Sequence, residues 1–133
     1  MRGSAIWTTF LVVLALFRPA AAAGPDVSGS WALMGELAGN GGGFFTATCT
    51  FQQKDDKLNG VCKRSSGDAN TTGQVTAQGV KFQYDIDRQG TTMTFHFDGT
   101  LDKAGAAISG QVTVVNPGNN GLEGTFTLTK QKK

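Results

Sequence analysis

Between residues 27 and 130, apolar side chains alternate with polar ones, and the alternation restarts after each cluster of Gly, Asn or Asp. A period of two residues is the mark of a strand with one buried face, and no stretch carries the 3.6-residue period of a helix over a useful length. The pattern predicts an all-β domain with strands at about 27–37, 44–53, 58–64, 71–77, 80–87, 91–101, 107–115 and 122–130. The segments between them are short, as successive hairpins require.

Turn positions set the expected pairing. A turn at Asp55-Asp56 pairs Gln53 with Leu58, Phe51 with Gly60 and Cys49 with Cys62. One at Gln78-Gly79 pairs Val75 with Phe82 and Gly73 with Tyr84, and one at Gln89-Gly90 pairs Tyr84 with Phe95 and Phe82 with Phe97. The loop Lys103 to Ala106 brings Gly99 to Gly110, and a turn near Pro117 to Asn119 sets Gly110 beside Phe126. Every register keeps apolar residues on one face, and a slip of one residue would expose the whole set.

A five-residue motif recurs, apolar-x-Gly-x-apolar: Val27 to Trp31, Leu58 to Cys62, Ile108 to Val112 and Leu122 to Phe126, with a weaker copy from Thr71 to Val75. The glycine shares the parity of the apolar residues and so faces inward, where it marks a bend or makes room for a large neighbour. Phe51, Tyr84 and Phe126 are each expected opposite such a glycine. Eight antiparallel strands with one buried face either stack as two sheets or close on themselves. Hairpin-only connectivity and inward glycines point to an eight-stranded antiparallel up-and-down β-barrel. Connections near 38–43, 65–70, 88–90 and 116–121 fall at one end and are the longer set, which makes that end the expected mouth.

The chain begins with Arg2, an apolar run from Ala5 to Phe17 and small residues at Ala20 to Ala23. This is the pattern of a cleavable signal peptide at 1–23, followed by one domain at 24–133 in a secreted or periplasmic protein. The run is too short to span a bilayer, so no membrane insertion is expected. Arg2 and Arg18 lie in that leader and supply the whole formal charge of +2, leaving a neutral mature chain. Neutrality argues against nucleic acid, whose phosphates need a basic face.

Candidate chemistry is sparse. Cys49 and Cys62, directly opposed and in an exported chain, read as a structural disulfide rather than a redox pair. His96, the single histidine, has outward parity opposite Gln83, near Asp85 and Lys81, with no nucleophile beside it; it reads as a solvated strand residue. Lys81 opposite Asp98 is a cross-strand pair. Asp85, Asp87 and Asp98 share that face without forming a metal site, and no cofactor or metal is expected. Asn70-Thr71-Thr72 is a glycosylation sequon. The run Gly39 to Gly43 opens no helix and so is a hairpin connection rather than a phosphate loop.

Inward parity carries Arg64, Tyr84 and Arg88 toward the expected mouth, above apolar Leu33, Phe45, Met93, Phe95, Val114 and Leu122. Guanidinium groups over an apolar cup suit a small amphipathic anion such as a fatty acid.

Gly29-Ser30-Trp31 on the first strand and Phe126 to Lys130 on the last resemble the calycin group of lipocalins, fatty-acid-binding proteins and avidins. The resemblance implies that Trp31 closes one end of the barrel with Lys130 packed on it. With no helix in the mature chain, the pattern is more similar to avidins than to lipocalins. The several tryptophans of a biotin site are missing, so biotin binding does not carry over. A weaker similarity is to small secreted bacterial barrels that inhibit metalloproteases, although Gly24-Pro25-Asp26 is short for their inhibitory arm. The expected function is therefore non-enzymatic binding of a small, partly apolar ligand at the long-loop end, through Arg64, Tyr84, Arg88, Phe45, Phe95 and Met93. The alternatives are a module that binds a secreted protein partner, such as an inhibitor of a hydrolase, and a structural domain with a filled core.

Overall fold

The computed structural model describes residues 25–39, 43–116 and 119–131; the expected signal peptide lies outside them. Eight antiparallel strands follow one another around a closed barrel: β1 (Gly29–Leu37), β2 (Gly43–Lys54), β3 (Lys57–Arg64), β4 (Gly67–Val75), β5 (Val80–Arg88), β6 (Thr91–Leu101), β7 (Ala107–Asn116) and β8 (Asn119–Lys130). β1 closes the ring by pairing with β8, with Trp31 opposite Lys130. Along each strand buried residues alternate with exposed ones, as the sequence pattern requires.

Four of the five expected registers hold: Cys49 faces Cys62, Tyr84 faces Phe95, Gly99 faces Gly110, and Gly110 faces Phe126. The pairing of β4 with β5 is displaced by two residues from expectation. Val75 meets Val80, and Gly73 meets Phe82 rather than Tyr84, whose partner is Thr71. The cause is the turn. Thr76 N–H donates to the Gly79 carbonyl at 2.9 Å, while the Thr76 hydroxyl accepts from the N–H groups of Gln78 and Gly79. A Thr side chain that bonds its own following backbone favours this wider turn over a two-residue one. A shift of two preserves parity, so every side chain keeps its face.

The motif glycines are points of close backbone approach. A Cβ at Gly60, Gly73, Gly110 or Gly124 would strike a carbonyl oxygen of the adjacent strand, that of Thr50, Lys81, Asp98 or Glu36 respectively. These positions let a small barrel coil tightly, a role beyond the aromatic cover expected from the sequence.

The interior is aromatic. Phe82 and Phe97 stack with centroids 4.4 Å apart, and Phe126 meets both edge-on. Phe51 approaches Phe82 from one side, while Tyr84 stacks on Phe95 at 5.1 Å on the other. Cys49 and Cys62 form a disulfide between β2 and β3, compatible with an extracellular or periplasmic location. Outward positions are mostly polar, with Met34, Phe44 and Val115 as the large apolar exceptions.

The two ends of the barrel differ, but not through loop length. β4 begins at Gly67, so the connection expected over 65–70 is the two-residue turn Ser65-Ser66. At the opposite end the turns span 55–56, 76–79 and 102–106, no shorter as a set. What separates the ends is a plug. The chain before β1 folds across the lower end, where Val27 is fully buried and its carbonyl accepts the Trp31 indole N–H at 3.1 Å. Gln53 Oε1 accepts from Val27 N–H and holds the segment in place.

Candidate functional site

Among the described residues no segment crosses the barrel at its upper end, and the last inward residues of several strands are only half-buried: Leu37, Phe45, Ile86, Met93 and Leu122. They surround a cavity of about 500 Å³, with Arg64 and Arg88 on its wall and Phe95 beneath. A recess of about 300 Å³ shares Phe45, Arg64, Ser66, Ile86 and Phe95 with it and adds Thr46, Ser65 and Tyr84. Phe45 meets Phe95 edge-on at 5.6 Å, so the two rings form one apolar corner. All six residues expected at a ligand site therefore border one or the other of these spaces.

The two arginines are not equivalent. Arg88 is exposed on the rim, the last residue of β5 before the turn at Gln89-Gly90. Arg64 is half-buried, its Nη1 donating to the Ser66 hydroxyl at 3.0 Å while its Nε is shut off from solvent without a partner among the described residues. Tyr84 is 2% exposed, and its hydroxyl likewise has no partner among the described residues. Burial pushes the Tyr84 phenol up to about 12, with the Arg64 charge pulling the other way. Buried polar groups are nearly always hydrogen-bonded, and two unpartnered ones beside a cavity call for an explanation.

Leu33 and Val114, expected in the cup, lie below it in the filled core. Phe44 was not expected there, since its parity points outward. At the first turn of β2 it lines both spaces while remaining 74% exposed. Ser66 was hidden by the same misplaced loop; the dipeptide Ser65-Ser66 before Gly67 was the turn signal that marked it.

A larger depression of about 660 Å³ lies on the outer face of β3 to β6 and includes His96. Its polar lining, among it Lys57, Asn59, Gln83, His96 and Asp98, is exposed throughout. Lys81 and Asp98 pair at 3.9 Å across it, and Thr94 and Thr92 donate to Asp85 and Asp87 nearby. These polar pairs are solvent-exposed, and none of their atoms is among the buried, unpartnered atoms of the described residues. Asn70 is exposed on β4 opposite Val61. Among the described residues no three His, Cys, Asp or Glu side chains converge as metal ligands.

At the closed end, Lys130 Nζ lies 5.4 Å from the centre of the Trp31 ring. The chain matches no described protein family and no curated protein.

Proposed function

We propose that this is an exported, calycin-like barrel that holds a small, partly apolar molecule in the cup at its open end and performs no chemistry on it. The observation that carries this reading is the contrast between the ends: one is plugged by Val27 and Trp31, while the other leaves an apolar ring half-buried around a cavity of about 500 Å³. An eight-stranded barrel has room either to be filled by side chains or to hold one small ligand. Here, among the described residues, side chains fill the lower part and leave a cavity in the upper part. Concave, mostly apolar spaces with a few convergent polar groups are the usual form of a small-molecule site.

Native mass spectrometry of protein purified from its own host tests the reading. A retained mass that is lost in Leu122→Trp, which fills the cup, supports it. Protein without added mass, and without affinity for any apolar probe, overturns it.

A second reading has one observation in its favour. Phe44 leaves a large ring in water at the rim, the kind of residue that anchors a protein–protein contact. If the open end docks a secreted protein, Phe44→Ser weakens that complex at least about tenfold.

A further inference from the structure

We propose that the ligand enters head first, with a carboxylate seated in the recess between Arg64 and Tyr84 and its apolar body lying outward in the cup. The inference rests on the cup reading and adds the chemistry and direction of the ligand. Arg64 Nε and the Tyr84 hydroxyl are both buried and both lack a partner. An arginine Nε can only donate, and a phenol that stays protonated to about 12 is a donor throughout the neutral range. A guest that brings oxygen lone pairs can accept from both, whereas the phenol oxygen alone could take only the Nε–H and would leave its own hydroxyl proton unbonded.

Charge points the same way. The recess is lined by Phe, Thr, Ser, Ile, Tyr and the one arginine, with no acidic side chain among them. The guanidinium is already anchored by its Nη1 bond to Ser66, so it meets a guest in a fixed orientation. One guanidinium and one phenol match the single charge and two oxygens of a carboxylate; a phosphate dianion would leave a charge uncompensated.

Direction follows from depth. Inward positions on β5 run Tyr84, Ile86, Arg88 from inside to rim, and Tyr84 is the last β5 residue paired with β4. By register Tyr84 and its partner Phe95 lie one inward step below the half-buried pair Ile86 and Met93, while Arg64, the last residue of β3, brings its buried Nε from the strand end. A head group at Tyr84 leaves its apolar body among Phe45, Met93 and Leu122. Charges at the mouth over an apolar floor, the arrangement expected from sequence, describe Arg88 alone.

The test is calorimetric titration of decanoate, decan-1-ol and decylamine, which share one chain and differ in the head. Decanoate is expected to bind at least about tenfold more tightly than the other two. That preference is expected to fall about tenfold in Tyr84→Phe and further in Arg64→Gln, with circular dichroism and melting confirming the fold of each. Tyr84→Phe removes a hydroxyl that bonds nothing, so it folds as the parent does. Equal affinity for all three probes, or a preference untouched by both substitutions, overturns the head-group site and leaves the cup reading standing. Failure of all three to bind overturns both.

Discussion

The Lys130 ammonium sits over the Trp31 ring, 5.4 Å from its centre, and the lysine stem passes within 3.7 Å of where a side chain at Gly29 would begin. The contact joins the first strand to the last at the plugged end, where Trp31 is wholly buried. Its two members should contribute very unequally. Trp31→Ala empties a core site and is expected to cost about 3–5 kcal/mol, whereas Lys130→Met keeps the stem and loses a partly hydrated cation–π contact of about 0.5–1 kcal/mol. Urea unfolding of the two variants reads the difference.

Gly110→Val should destabilise at or above the upper end of the roughly 1–3 kcal/mol typical of overpacking. The Asp98 carbonyl oxygen and the Gly99 Cα occupy the space a side chain would need. Thr113→Val, on the opposite face of the same strand, is expected to change stability by less than about 0.5 kcal/mol. Equal losses in chemical denaturation would show that strand approach at Gly110 is not tight.

Reduction of the Cys49–Cys62 bond, which spans a sequence separation of 13, should lower stability by about 3 kcal/mol in the loop-entropy account. Thermal melts with and without reductant measure it, and thiol titration of the denatured, unreduced protein should find none free.

Tyr84 is the single tyrosine, so phenolate absorbance reports on it alone. In the folded protein it should titrate near 12 rather than the ordinary 10.0. Since the folded-state value is raised, the unfolded chain binds fewer protons between the two values, and stability is lost as pH climbs through that interval. Tyr84→Phe should lose its part of that alkaline decline. At neutral pH the same substitution should stabilise the ligand-free protein by about 1 kcal/mol, because it removes a buried hydroxyl that bonds nothing. A melting temperature below the parent's would mean the hydroxyl is satisfied in solution.

Arg88→Ala should weaken decanoate less than Arg64→Gln does. An exposed rim charge contributes about 0–1 kcal/mol, and its share should vanish in high salt. Titrations at low and high ionic strength separate the two arginines.

Strand number, the face of each residue and the Cys49–Cys62 pairing were legible in the chain, because side chains in a strand alternate strictly and a slip of one residue exposes the core. That constraint is local, which is why it survived the error at the β4–β5 turn: Tyr84 changed partner from Gly73 to Thr71 and still faced inward. The same parity brought Arg64, Tyr84 and Arg88 to one end. Parity says nothing of depth, solvent or what a polar atom bonds. Whether Arg64 Nε and the Tyr84 hydroxyl are buried and unpartnered depends on Ser66, Ile86 and Phe95, brought together from turns and strands far apart in the chain. Which end is open likewise depends on Val27 and Trp31 folding across the other, a packing outcome that loop lengths do not encode.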